Sequence, residues 1–254
     1  MFNYKKFFSG ALLMLVICQS SNLSNETKGW YFERRGQNEP PAAQSEIDIA
    51  QYNAHYLGDT TQKELYLTFD CGYENGYTIS ILDTLLEKGV TAAFFVTKPY
   101  ILTNPDIVKR MVKEGHIVAN HSDKHKSCPS LSYDELKQDL EQVEQAYFEL
   151  IGEVMPKFFR PPMGQYSEAS LKATFDFGYS SIFWSFAYED WLVEKQPGAE
   201  KAFNTVIKHL HNGAILLLHS ISESNAQALP RIIDYAQSQG YEFKSLSDLG
   251  KRIF

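Results

Sequence analysis

Leu65-Tyr-Leu-Thr-Phe-Asp70 is an apolar run of strand length that ends on a carboxylate, with Cys71-Gly72 directly behind it. Near-continuous apolarity over so short a span marks a strand buried on both faces, the condition of a parallel sheet covered by helices. Six further runs of this kind follow: Ala92 to Thr97, Ile117 to Asn120, Lys157 to Arg160, Ser180 to Ser185, Ala214 to His219 and Tyr241 to Lys244. Amphipathic stretches of helical length separate them, at about 77–88, 105–114, 132–151, 168–176, 199–210 and 225–239, with a last short one near 246–252. Gly89, Gly115, Gly152, Gly178 and Gly240 each stand where a helix should end on a glycine cap. The alternation predicts an α/β chain forming a closed or nearly closed barrel of about seven βα units, with an open doubly wound sheet as the alternative.

Outward from this repeat toward the N-terminus the pattern changes. Residues 1–22 carry Lys5-Lys6, an apolar run from Phe7 to Cys18 and then a polar stretch, the layout of a secretory signal or an uncleaved anchor. The run falls short of the ~20 residues that a membrane-spanning helix needs. Residues 23–62, with Pro40-Pro41 and scattered aromatics including Trp30, Tyr31, Phe32, Tyr52 and Tyr56, are read as an extended arm over the outside of the barrel. The main domain is then 63–254, and an exported, extracytoplasmic protein of the cell wall or membrane surface is expected. Its formal charge of -7, with no concentrated basic stretch, argues against nucleic acid as a partner. Of three cysteines, Cys18 lies in the signal, which leaves Cys71 and Cys128 and no disulfide framework.

The chemistry gathers at strand ends. Asp70, Asn120-His121, Arg160 and His219 each finish or directly follow a strand candidate, and in a parallel barrel those ends converge on the face where active sites are built. In His121-Ser-Asp-Lys-His125 two imidazoles four apart can face the same way from one helical turn and hold a divalent ion. Asp70 ends a buried strand, where an unpaired charge is costly, so a metal, a base role or an arginine partner would explain it. Arg160 offers that counter-ion, and Pro161-Pro162 behind it stiffen the backbone so that the Met163 amide can serve as a fixed donor. His219 follows Ile215-Leu-Leu-Leu218, which would partly desolvate its ring and tune it as acid or base, and Leu217 shares its face. Trp191, after Asp190, either stacks on a sugar or closes the core. His55, His116, His209 and His211 lack such company and are read as structural or solvated.

Thr-Phe-Asp70, His121-Ser-x-x-His125, Arg160-Pro-Pro-x-Gly164, Asp190-Trp191 and Leu-Leu-His219, in that order over roughly 62–252, resemble the motif series of the polysaccharide deacetylases, the NodB homology family or carbohydrate esterase family 4. Tyr73-Glu-Asn-Gly-Tyr77, Trp184-Ser-Phe-Ala-Tyr-Glu-Asp-Trp191, Trp30 and Tyr56-Leu-Gly58 look most like the peptidoglycan deacetylases that form muramic δ-lactam in spore cortex. The resemblance implies a distorted (β/α)7-type barrel and a metal-dependent hydrolase that removes N-acetyl groups from muramic acid. It implies Asp70 as general base held by Arg160, His121 and His125 as ligands of a divalent metal with zinc favoured, and His219 as the acid for the departing amine. Met163 would help hold the oxyanion, while Asp190, Trp191 and Leu217 would contact substrate. The implied partner is the peptidoglycan glycan strand, acted on by a monomer after a muramoyl-alanine amidase has freed the lactyl carboxylate.

Two positions depart from the family pattern. Cys71 stands where a second aspartate usually provides the third metal ligand, and Ala187 stands where an aspartate often pairs with the arginine. Cys71 can be read as a thiolate ligand of zinc, as a bystander, or as the disulfide partner of Cys128. Asp190 could take over the pairing with Arg160. Two rival functions remain open: deacetylation of chitin or xylan, and a non-catalytic wall module in which Cys71, His121, His125 and Cys128 close a structural metal site.

Overall fold

A computed structural model describes residues 23–36 and 38–249, so the signal or anchor expected in 1–22 lies outside the described residues. Among the described residues no helix is long and apolar enough to cross a membrane. The strands of the central sheet are β1 (Ala54–His55), β2 (Glu64–Cys71), β3 (Ala93–Val96), β4 (Ile117–Asn120), β5 (Phe158–Phe159), β6 (Ser180–Ile182), β7 (Ala214–His219) and β8 (Glu242–Phe243). Their order is β7-β2-β3-β4-β5-β6-β1, with β8 pairing the start of β2, and every one of these pairings is parallel. Around them lie α1 (Thr78–Lys88), α2 (Lys98–Thr103), α3 (Pro105–Lys113), α4 (Tyr133–Ile151), α5 (Glu168–Asp176), α6 (Ala199–Lys208) and α7 (Glu223–Ser238). This is the expected (β/α)7-type barrel. It closes where the backbone beyond β6 meets β7: Phe186 bridges Leu216, and Leu217 N donates to Phe186 O at 2.9 Å.

Strand alternation decides which side chain reaches the site. Along β2, Leu65, Leu67, Phe69 and Cys71 join the large cluster beneath the helices, with Ile81, Tyr100 and Leu218 among its members. Tyr66, the neighbour of opposite phase, packs in the barrel's interior with Phe95, Ala119, Ile182 and Ile215. Thr68 and Asp70 share the phase of Tyr66, which carries the carboxylate inward. Register then sets its level: Asp70 pairs with His219 of β7 and Phe95 of β3, and Asn120 of β4 pairs with Phe159 of β5.

Helix ends follow local chemistry. Ser132 and Glu135 form a reciprocal capping box at the start of α4, which closes on left-handed Gly152. Thr97 caps α2, a short helix that sequence periodicity does not anticipate, and the helix foreseen near 246–252 is a single 3-10 turn over Leu246–Asp248 within the described residues.

The N-terminal segment differs from the expected outer arm because its own residues complete the sheet and then cross to the catalytic face. Ala54–His55 is the strand β1, aligned with β6, and Gly58 N donates to Gly213 O at 2.8 Å across the seam. Earlier in the chain, Lys28–Gly29 pairs antiparallel with Gln165–Tyr166, and Phe32–Glu33 with Ala42–Ala43. Trp30 is buried, stacked on Phe183 at 4.6 Å, and its indole N–H donates to Trp184 O at 2.9 Å.

Candidate active site

Arg160 is fully buried, and each of its three side-chain nitrogens donates a hydrogen bond. Nη1 donates to Asp70 Oδ1 at 2.7 Å, Nη2 to Thr68 Oγ1 at 2.9 Å and Nε to Ile182 O at 3.0 Å, with the Phe95 ring 4.2 Å below. Thr68 in turn donates to Leu216 O at 2.7 Å, so the arginine is fixed by three strands of the barrel. Burial alone would raise the Asp70 carboxyl. Arg160 outweighs it, helped by His121 and His219, and holds the group below the usual carboxylate range. One oxygen is thus committed to Arg160 while Oδ2 lies 3.5 Å from His121 Nε2.

The two motif histidines sit in a loop shaped by its backbone. The expected helical turn is absent: Ser122 and His125 both adopt positive φ (73° and 52°), and Ser122 Oγ accepts from His125 N at 2.8 Å. Asn120 anchors the loop, accepting from Ser122 N and donating to Leu140 O and Tyr179 Oη. The result brings the rings together all the same, centroids 4.8 Å apart and nearly perpendicular. His121 Nδ1 lies 2.9 Å from the Arg160 carbonyl, which only accepts, so Nδ1 carries the proton and Nε2 presents a lone pair. Burial drives the His121 pKa down to about 4, which leaves that lone pair free at neutral pH.

Opposite stands His219. Its Nδ1 donates to Asp190 Oδ1 at 2.6 Å, and its backbone N to Asp190 Oδ2 at 2.9 Å. Asn225 Nδ2 donates to the same Oδ2 at 2.6 Å and receives the Tyr188 hydroxyl on its own oxygen. Burial would lower the imidazole's pKa, but the Asp190 bond and charge override it and raise it. Trp191 meets the His219 ring edge-on at 5.5 Å.

Asp70, His121, His125, Met163, Trp191, Leu217 and His219 line one cavity of about 660 Å³, together with Trp30, Tyr31 and Phe32 of the N-terminal segment. Met163 is held at φ 59° in the turn Pro162–Gly164, where the two prolines lead. Gly164 is required there: its φ is +63°, and a Cβ would stand 2.8 Å from Trp184 and 3.1 Å from Trp30.

Three sequence expectations need correcting. Cys71 faces the helices, fully buried in apolar surroundings that push its thiol well up, so it is no ligand beside His121. Cys128 belongs to a different cluster, with Leu136, Leu140 and Tyr179, and both thiols are free. The disulfide and the closed Cys₂His₂ site both fail on this placement. Asp190 is buried behind His219 and pairs with that ring, not with Arg160, and Arg160 binds Asp70 alone among carboxylates of the described residues. Asn225 goes unnoticed in the sequence, and Tyr188 and the Trp30–Phe32 segment, although read there, are given no place at the site because they lie outside the strand-end motifs.

Among the described residues no group of three or more His, Cys, Asp or Glu forms a ready cage for a metal. What exists is smaller and still fits a cation. The His121 lone pair and Asp70 Oδ2 face each other at 3.5 Å, a repulsive approach unless positive charge lies nearby, and the second imidazole flanks them. Oxygens from outside the chain would have to fill the other positions.

Comparison with known proteins agrees with this geometry. The family model for polysaccharide deacetylases matches residues 57–182. An uncharacterized 30.6 kDa protein of Geobacillus stearothermophilus is 47% identical over 91% of this chain and 88% of its own. The peptidoglycan-N-acetylmuramic acid deacetylase PdaA of Bacillus subtilis is 42% identical over 95% of this chain and 92% of its own. The chain belongs to the polysaccharide deacetylase family. The solved structure of PdaA, a family 4 carbohydrate esterase, superposes with a TM-score of 0.87 over 89% of this chain and 98% of that one. As a family 4 deacetylase this protein is a hydrolase of carbon–nitrogen amide bonds, and its fold is that of the family.

Proposed function

We propose that this deacetylase removes N-acetyl groups from peptidoglycan, acting on muramic acid as a step toward δ-lactam in spore cortex. Supporting this substrate are the 42% identity to a peptidoglycan-N-acetylmuramic acid deacetylase and the coverage of nearly the whole chain. The observation that carries the chemistry is that Asp70 and His219 share one cavity wall, each held from behind by a buried partner of opposite charge.

In this reading Arg160 orients Asp70 so that Oδ2 takes the proton of a water attacking the acetyl carbonyl. Asp190 keeps the His219 Nδ1 protonated and favours the imidazolium, so that Nε2 delivers the second proton to the departing amine. Leu217 and Trp191 wall the acetyl methyl, and the Met163 amide supports the oxyanion. His121 and His125 are the residues to hold a divalent cation, zinc favoured, which when bound polarises the carbonyl and eases ionisation of water.

The segment 1–22 is read as an export signal or anchor, which places the protein at the wall or membrane surface, working as a monomer after a muramoyl-alanine amidase. The test is acetate release and mass analysis of denuded glycan strands, with several divalent metals supplied. Loss of one acetyl per muramic acid is expected. Strands that keep every acetyl group under all metals would overturn the proposal.

A further inference from the structure

The polysaccharide deacetylase match begins at residue 57, yet Trp30, Tyr31 and Phe32 line the catalytic cavity. The backbone that carries them is bolted from both sides. Trp30 N donates to Gly164 O at 2.8 Å, Tyr31 O accepts from Gln44 N at 2.9 Å, and Arg34 Nη2 donates to Ala187 O at 3.0 Å. On this rigid support Trp30 is buried as structure, whereas the Tyr31 side chain is left 68% exposed at the cavity. An exposed ring costs apolar surface in water, and a ring carried on a fixed backbone has only its own side-chain rotations to lose when something covers it. The ring's place is prepared: a Cβ on Gly29 would stand 2.8 Å from Tyr31 Cε2. Gly29 has no left-handed φ to explain it, so room for the ring is what its missing side chain supplies.

We infer that Tyr31 is a sugar-binding residue, whose ring face covers the pyranose next to the one presenting its acetamide to Asp70 and His219. The cavity, at about 660 Å³, is larger than one acetamido sugar, and its lining adds the aromatic rings of Trp30, Phe32 and Trp184 to that of Tyr31. An aromatic face pairs with the C–H face of a sugar and leaves the hydroxyls in water, which suits a polymer sliding through an open groove. The subsite belongs to the segment outside the family match, so it gives this chain a grip on the strand independent of the reacting groups. The inference rests on the reading of the site as a glycan deacetylase.

The experiment is steady-state kinetics on denuded peptidoglycan strands with wild type, Tyr31→Ala, Tyr31→Phe and Gly29→Ala, alongside thermal melting. In Tyr31→Ala, KM rises about tenfold while kcat stays within about twofold of wild type, the loss of one aromatic contact. Tyr31→Phe keeps the wild-type KM, and Gly29→Ala raises KM because the ring must move although it is still present. An unchanged KM in Tyr31→Ala, or a fall in kcat alone, overturns the inference while leaving the deacetylase reading intact. A wild-type enzyme inert on strands under every metal would instead defeat the function on which it rests.

Discussion

Among the described residues Arg160 has one carboxylate partner, Asp70, reached from Nη1 at 2.7 Å with the guanidinium wholly out of water. Its charge therefore acts on the one group read as the base, and Ala187, where the family resemblance leads one to expect an acid, adds no competitor. The pair is a catalytic device and a structural liability together, since either member alone would be a buried ion.

Asp70→Asn is expected to lose acetate release by about three orders of magnitude, the scale of a missing general base. It should also lower stability by about 3 kcal/mol, because Arg160 is left without a counter-charge. Acetate assay and chemical denaturation check both. Retained activity would remove Asp70 from the role of base.

Arg160→Gln should move the acidic limb of kcat/KM to higher pH. Burial raises the Asp70 pKa and Arg160 lowers it, so with the arginine gone only the raising effect and the weaker help of the histidines remain. The carboxylate then takes up its proton earlier as pH falls. A pH–rate profile with an unmoved acidic limb would contradict this.

Asp190→Asn acts at the other end of the profile. The imidazole of His219 is lowered by burial and raised more strongly by Asp190, so losing the carboxylate brings its pKa down. The acid form is then lost at lower pH, and the alkaline limb of kcat/KM shifts to lower pH while the acidic limb stays. Similar profiles for variant and wild type would show that His219 is not the proton donor.

Cys71→Ala is expected to leave zinc affinity unchanged, whereas His125→Ala reduces it, as read by equilibrium dialysis. The thiol lies among Ile81, Tyr100 and Leu218, on the opposite face of β2 from Asp70. A sharp loss of affinity in the cysteine variant would mean that β2 turns its other face to the site.

Gly164→Ala should destabilise by about 2 kcal/mol, measured as a fall in melting temperature. Its φ of +63° disfavours any side chain, and the added Cβ would meet Trp184 at 2.8 Å.

Much of this is legible in the sequence. Apolar runs such as Ala214 to His219 and Ile117 to Asn120 have the bounds of the observed strands, because a strand covered on both faces needs apolarity at every position. The convergence of Asp70, His121 and His219 followed from their place at strand ends. Cys71 was legible too, since period-two alternation alone sends it away from Asp70, and the family pattern obscured that simpler rule. Asp190 was a harder case, because its partner comes from β7, 29 residues on, and nothing in the local sequence states which strand it faces. Ala54–His55 is too short to show a period, and Trp30–Phe32 acquires its place through contacts distant in sequence, among them the backbone bonds to Gly164 and Gln44 and the indole bond to Trp184.

Cys71 and Cys128, unpaired in separate clusters with almost no solvent contact, make the protein its own clock for unfolding. A thiol reagent in water reaches either sulfur only when the surrounding packing opens, so labelling rates report local opening at two points of the barrel. Cys71 reports the wall behind the base and Cys128 the region beneath the histidine loop. With no covalent cross-link among the described residues, reductant should leave the melting temperature where it is, and folding needs no oxidant.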